Sequence, residues 1–330
     1  MAPVNTLILQ AAQLDQGSKE GVRFVDSELV LDAGCSQGWF QSQVLDLPPF
    51  TDGVASWNSS TSQGTFVELL VKVRKEGVWS RWFSYGKWSD NGNNIGSIKG
   101  QKDEIAVLKT DLLTIQDGCA DAIQYKLKLS REDAQGDSPR VRLLAFSWTP
   151  LQPKVDNYTS AEIALDVAPR AQLSVPEIGN IICSPTSLAT VMAYHGHEEK
   201  TEQVAAGARD NGAGIYGNWS YNVAYAAEKG FTAWVQCCDS LEDVKPYLKQ
   251  GLPIIASVRI QDKAELEGAL SAYPSGHLLV ITGLTHKDGE DYVLVNDPAA
   301  HEKQDVPRQY RYHQFIKAWK NRIYVLTKTR

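Results

Sequence analysis

No apolar run in this 330-residue chain approaches the roughly 20 residues that a membrane helix needs, so no membrane span is expected. The first residues, Met1 to Leu9, lack a basic start followed by a long apolar core, and no secretory signal is read there. The chain as given is therefore expected to be cytoplasmic, or extracellular if it is a trimmed piece of a longer one. Positive charge is in deficit: 33 Lys and Arg against 39 Asp and Glu leave a formal charge of −6. Without a basic field to attract phosphates, nucleic acid is not expected as a partner. Five cysteines, at 35, 119, 183, 237 and 238, show neither a repeated metal-ligand spacing nor the density of a disulfide framework, and their odd number fits a reducing compartment. Adjacent Cys237 and Cys238 end a strand-like run, where neighbours point to opposite faces, and are read as packing residues. Internal repeats and low-complexity tracts are absent as well.

What is present is enough apolar content, 43%, and enough length for two domains with cores of their own. Residues 1–150 read as β-rich. Thr65–Arg74 alternates, with Val67, Leu69, Val71 and Val73 on one face; Ile123–Leu129 alternates more cleanly; Arg140–Trp148 is mostly apolar. Turn-rich stretches at 89–94 and 134–139 separate these runs, and the expectation is an antiparallel, jelly-roll-like β-sandwich. The acidic, Asn-rich loop at 90–94 lacks the spaced carboxylates of a calcium loop and reads as a solvated turn. Trp79, Trp82 and Trp88 crowd one segment, either as sandwich core or as an aromatic platform for a glycan or peptide ligand. Recurring prolines and fading periodicity place a linker at 151–170, and 171–330 then mixes helix and strand, so that the whole chain is expected to be α+β.

The second half centres on Asn180-Ile-Ile-Cys183-Ser-Pro-Thr-Ser-Leu188, which sets a cysteine where a loop turns into a helix. Pro185 suits a first helical turn, and Ser184 is read as able to accept a bond from the free amides. Leu188, Val191, Met192 and Tyr194 share one face, and Gly196 offers the stop. A thiol at such a start feels the positive end of the macrodipole, which favours the thiolate. The same cysteine would also serve as a small buried apolar residue.

Downstream, Gly276-His277-Leu-Leu-Val-Ile-Thr282 and Tyr292-Val-Leu-Val-Asn-Asp297 are strand-like runs about the turn signal His286-Lys-Asp-Gly-Glu290. A hairpin there brings His277 to the Asp297 end of its partner. Thiol chemistry on an acyl carbon needs a thiolate, an imidazole that shares its proton, and a group that fixes the imidazole tautomer; Cys183, His277 and Asp297 could supply them in that order. His195 and His197 close the cysteine helix, about 18–21 Å from the thiol by helix rise. Zinc could use the same ligand types, but no two of the three residues lie close enough in sequence to start a chelate, so no metal is expected. The chemistry requires no organic cofactor.

Cys-Ser-Pro-Thr-Ser at 183–187, Tyr-Gly-Asn-Trp at 216–219, Gly-His-Leu-Leu-Val at 276–280 and Asn-Asp-Pro-Ala at 296–299, in that order, resemble the peptidase family thirty-nine-like domain. That group comprises papain-fold cysteine peptidases related to the bacteriocin double-glycine leader peptidases, and the resemblance covers about 165–330. A β-sandwich ahead of such a domain is similar to bacterial two-domain members. The resemblance implies a papain-like domain over 171–330, Cys183 as nucleophile, His277 as base, Asp297 as orienting acid, and the loop Tyr216, Gly217, Asn218, Trp219 near the cleft as a substrate-binding element. It further implies a peptide or protein substrate. Papain-like enzymes usually carry a glutamine a few residues before the cysteine to hold the oxyanion. Residues 175–180 contain none and Gln172 is eleven residues upstream, leaving Asn180 or the Cys183 backbone N–H as the candidate donor. The expected activity is that of a cysteine peptidase or amidase. The alternatives are a catalytically weak peptide- or glycan-binding protein and a thiol acyltransferase on the same fold.

Overall fold

The computed structural model describes residues 3–14, 16–90, 96–152 and 157–328. Most of the Asn-rich loop read as a solvated turn, and residues 153–156 of the linker, lie outside the described residues. Those described gather into two compact units: Met1–Pro153 with Arg209–Val235, and Lys154–Ala208 with Gln236–Arg330.

The first unit is β-rich, and its strand pairings are antiparallel. Thr65–Lys75 pairs with Ala120–Arg131 in the register Leu69↔Leu127 and Val71↔Tyr125. The alternation read from sequence decides which side is core: Val67, Leu69, Val71 and Val73 on one strand and Ile123, Tyr125, Leu127 and Leu129 on the other are all buried. Arg140–Pro150 pairs with the long strand Leu45–Ser60. That long strand carries no alternating signal, because residues 53–59 are buried on both faces and Ser56, Asn58 and Ser59 are among them.

Those buried polar side chains explain why Arg209–Val235, a stretch inside the segment expected to be papain-like, packs with the first unit. Asn58 exchanges two bonds with the Ala233 backbone, Nδ2 to O at 2.6 Å and N to Oδ1 at 3.0 Å, and Val235 N donates to Ser56 Oγ at 3.2 Å. The helix Trp219–Glu228 ends on Glu228, whose carboxylate accepts from Ser59 Oγ, Thr61 Oγ1, Thr61 N and Trp88 Nε1. Asp210 is fully buried and accepts from Ser97 N and Oγ, Gly212 N, Ala213 N and Asn218 Nδ2. A buried charge is tolerable only with such donors around it.

The three crowded tryptophans do not act together. Trp88 is core, edge-on to Trp57 and Tyr221 with centroids 6.5 and 5.2 Å away. Trp79 and Trp82 are half-buried and share the Lys72 ammonium, 4.6 and 4.9 Å from their ring centroids.

The second unit sets the helix Cys183–Tyr194 before an antiparallel sheet, so it is α+β. Its strands run in the spatial order Trp319–Lys328, Ile254–Ile260, Tyr273–Lys287, Glu290–Asn296, Pro307–Arg311. The linker region contributes the short strand Ile163–Ala164, paired at Ile163↔Leu284. Among the described residues no helix is long and apolar enough to cross a membrane.

Candidate active site

The helix that presents the cysteine begins at Cys183 itself, after the 3₁₀ turn Gly179–Ile181. Ile182 is its N-cap and supplies no side-chain bond. The expected Ser184 cap is therefore corrected: Ser184 lies inside the first turn and its hydroxyl pairs with Tyr324 Oη at 3.0 Å. The helix is also buried on all sides from Ser184 to Met192 rather than along one stripe. Its hydroxyls make that possible, because Thr186 Oγ1 donates to Ile182 O and Thr190 Oγ1 to Thr186 O within the helix. Ser187 Oγ donates to Leu278 O at 3.1 Å and so ties the helix directly to the residue after His277.

His277 stands on the strand Tyr273–Lys287, opposite Val258 on one neighbour, while the other neighbour is registered Val280↔Asn296. That register carries His277 to the end of Glu290–Asn296, where Asp297 leaves the strand. The His277 Nε2 lies 2.7 Å from Asp297 Oδ1, and both residues are buried. With Nε2 engaged, the ring nitrogen left for the thiol is Nδ1, and Cys183, which is of intermediate exposure, lies near enough for this ring to act on its sulfur. The backbone N–H groups of Ser184 and Leu278 also face the sulfur.

Asp297 is fully buried and accepts four bonds: from His277, from Ala299 N at 3.1 Å, and on Oδ2 from Tyr273 Oη at 2.9 Å and Tyr310 Oη at 2.7 Å. Tyr273 also stacks on the imidazole, with centroids 4.0 Å apart and planes 15° from parallel. Sequence reading missed both tyrosines in this role. Tyr273 had a signal, since residues four apart on a strand share a face. Tyr310 had none, because it arrives from Pro307–Arg311, on the far side of Glu290–Asn296.

The electrostatics follow from these contacts. Burial alone would push the Cys183 thiol up, but the His277 hydrogen bond and charge and the two N–H groups hold it below the ordinary thiol value. Burial alone would push His277 down, yet Asp297 and the Cys183 sulfur hold it up at about 10. Asp297 stays below the usual carboxylate range despite burial, through His277, Tyr310 and the Ala299 N–H. Tyr273 and Tyr310 are pushed up by burial and by the Asp297 charge, so both hydroxyls remain donors. Each of the three shifts favours the charged form of its group.

Asn180 is exposed on the turn that leads into the helix, and its side chain makes no hydrogen bond among the described residues. Gln172 is buried and donates Nε2 to Gly179 O at 2.7 Å, holding that turn. The four loop residues lie in the first unit. Asn218 is buried as the N-cap of Trp219–Glu228, accepting from Tyr221 N and donating to Asp210. Tyr216, Gly217 and Trp219 are half-buried, the Arg209 guanidinium lies 5.8 Å over the Tyr216 ring, and Trp219 N donates to the Asp111 carboxylate. Among the described residues no group of three or more His, Cys, Asp and Glu side chains is arranged to hold a metal ion.

Residues 164–326 match the Peptidase_C39 like family, and residues 6–148 match the Peptidase C39 N-terminal domain. No curated protein matches the chain. Similar solved structures include the peptidase domain of Streptococcus ComA, a bi-functional ABC transporter involved in a quorum sensing pathway, at 20% identity over 47% of this chain and 97% of that chain, with a TM-score of 0.34. A structure described as a C39-like peptidase from Bacillus anthracis is 18% identical over 52% of this chain and 100% of that one, TM-score 0.38. A double glycine motif protease from an AMS/PCAT transporter, solved in complex with the leader peptide, is 18% identical over 54% of this chain and 99% of that one, TM-score 0.31.

Proposed function

We propose that this chain, whose residues 164–326 belong to the Peptidase_C39 like family, is a cysteine peptidase that hydrolyses a peptide-type bond through Cys183, His277 and Asp297. The observation that carries the reading is the buried 2.7 Å contact between His277 Nε2 and Asp297 Oδ1, on the same ring that acts on the Cys183 sulfur. Asp297 fixes the tautomer and orientation of the imidazole, and the imidazolium keeps the sulfur anionic. The thiolate attacks the carbonyl carbon of a peptide. His277 gives its Nδ1 proton to the departing amine, and a thioester remains on Cys183. A water molecule then attacks the thioester while the neutral imidazole takes its proton; the acid product leaves and the thiolate–imidazolium pair is restored.

The oxyanion formed in each half-reaction needs donors. The Cys183 N–H is free of helical bonding by its place in the first turn, and Asn180 is the second donor we assign, its amide being exposed three residues ahead. The half-buried Tyr216 and Trp219 are retained as the proposed substrate-binding side chains of their loop, with Gly217 and Asn218 shaping it. The antiparallel pairings of the first unit, and the one-sided burial of Thr65–Lys75 and Ala120–Arg131, support its reading as a β-sandwich.

The test is turnover of a proteome-derived peptide library by the full chain, read by mass spectrometry, beside the rate at which iodoacetamide alkylates Cys183. New peptide termini that disappear in Cys183→Ala, with alkylation at neutral pH slowed at least tenfold in His277→Ala, are expected. Equal alkylation of wild type and His277→Ala across neutral pH would overturn the activated pair. Thiol labelling without any cleavage would favour the catalytically weak binder, for which the absence of a glutamine at 175–180 is the specific argument. An added amine that captures the acyl group faster than water would favour the acyltransferase.

A further inference from the structure

The first unit holds a groove of about 560 Å³ lined by Glu20, Trp39, Glu68, Lys87, Lys126 and Lys128 together with Gln37 and Ser130. It is not a chance depression, because the pairing of four strands and the edge strand Ser18–Glu20 sets its residues in register. Lys87 faces Glu68, Glu68 faces Lys128, Lys128 faces Trp39, and Trp39 faces Glu20, one cross-strand row on one face of the sheet. Gln37, Lys126 and Ser130 lie two residues along their strands from members of that row, so they share the face.

The charges in the groove are unevenly paired. Lys128 Nζ lies 3.1 Å from Glu68 Oε2, and Glu20 Oε2 accepts from Trp39 Nε1 at 3.2 Å. Lys87 and Lys126 have no carboxylate partner among the described residues. Each rests instead on an aromatic ring, Lys126 at 4.9 Å from the Trp39 centroid and Lys87 at 4.2 Å from that of Phe66. An exposed ammonium–ring contact is weak and is readily exchanged for a carboxylate. The exchange would lift Lys126 from Trp39 and leave an indole face in a polar, hydroxyl-accepting groove.

We propose that this groove binds a saccharide that carries carboxylates, a uronic-acid type of chain. Its carboxylates would draw Lys87 and Lys126, one pyranose ring would stack its C–H face on Trp39, and Gln37, Ser130, Glu68 and Glu20 would take its hydroxyls. The chain as a whole is acidic, at −6, so a groove with two unpaired lysines is where an anionic ligand has complementary charge. This site is separate from the thiol chemistry and does not depend on it.

Titration calorimetry of the full chain with hexagalacturonate, alginate hexamer and hyaluronate hexamer tests the proposal, with the methyl ester of hexagalacturonate as the uncharged twin. The expected result is saturable binding of at least one acidic hexamer, at least tenfold weaker binding after esterification, and at least tenfold loss in Trp39→Ala and in Lys87→Gln/Lys126→Gln. The lysine substitutions are on partly exposed side chains and keep the test valid if Trp39→Ala folds poorly. An unchanged far-UV circular dichroism spectrum and thermal transition in these variants separates loss of binding from loss of fold. No binding of any acidic hexamer at millimolar concentration would overturn the proposal. So would binding indifferent to both variants, or equal binding of a glutamate hexapeptide, which would make the site one for acidic peptides.

Discussion

Tyr273 lies parallel to His277, and its hydroxyl passes the imidazole to reach the Asp297 oxygen that His277 does not use. One side chain thus shields the ring and braces its carboxylate. Tyr310 donates to that same oxygen at 2.7 Å from another strand. Removing one donor leaves a buried carboxylate oxygen with one partner fewer. Tyr273→Phe and Tyr310→Phe should each cost about 1.5–3 kcal/mol of stability by urea denaturation. The double variant should deviate from the sum of the two, because both act on one atom. Tyr273→Phe keeps the stacked ring, so Tyr273→Leu should slow Cys183 alkylation further.

Asp297→Asn preserves shape but removes the charge that holds His277 protonated. Turnover should fall by about 10⁴-fold, the loss that replacing the tautomer-fixing carboxylate produces in the Ser-His-Asp triad. Alkylation of Cys183 should then need a pH nearer that of a free thiol, about 8.5. A pH–rate profile for alkylation that matches wild type would count against Asp297 as the brace.

The pH profile of turnover follows from the two opposed shifts. The acid limb should lie below the ordinary thiol range, where Cys183 takes its proton back, and the alkaline limb near 10, where His277 loses the proton that the leaving amine needs. Stability carries the same signs. The raised His277 contributes fully below about pH 6.5, its unfolded value, and its contribution is lost as pH rises through 10. The lowered Asp297 contributes above about pH 3.9 and its contribution is lost as pH falls through its depressed folded value. Urea midpoints of wild type and His277→Gln should therefore converge as pH is raised past that alkaline limb.

Asn180→Ala should reduce turnover by about 10²–10³-fold if its amide is an oxyanion donor. Cys183 alkylation forms no oxyanion and should be unchanged, and that split is the measurement. Gly179→Ala perturbs the same turn by another route, since an added Cβ would sit 2.6 Å from Gln172 O.

Asp210→Ala removes the acceptor of five hydrogen bonds inside the first unit. A loss of about 3 kcal/mol or more is expected, since each buried donor left without its acceptor costs about 1–3 kcal/mol. Far-UV circular dichroism during thermal unfolding should show the lowered transition.

The strands of both units were readable wherever one face is core, as in Thr65–Lys75, and the hairpin that joins His277 to Asp297 was readable because its turn and its two apolar runs are local. Leu45–Ser60 was not, since burial on both faces with serine and asparagine inside leaves no period. Nor was the packing of Arg209–Val235 with the first unit, which rests on Asn58, Ser59 and Trp88 bonding to residues some 140–180 positions away.

By itself the sequence determined which side chains the proposed chemistry draws on: a cysteine at a helix start, a histidine opening one strand and an aspartate following its partner. Local pattern was sufficient, because helix starts and hairpin register depend on neighbours along the chain. Only the tertiary structure decided what surrounds them. Tyr273 and Tyr310 meet on Asp297, Ser184 turns from a cap to Tyr324, and Lys87, Lys126 and Trp39 share a groove because strand order, which no local period encodes, sets which residues become neighbours.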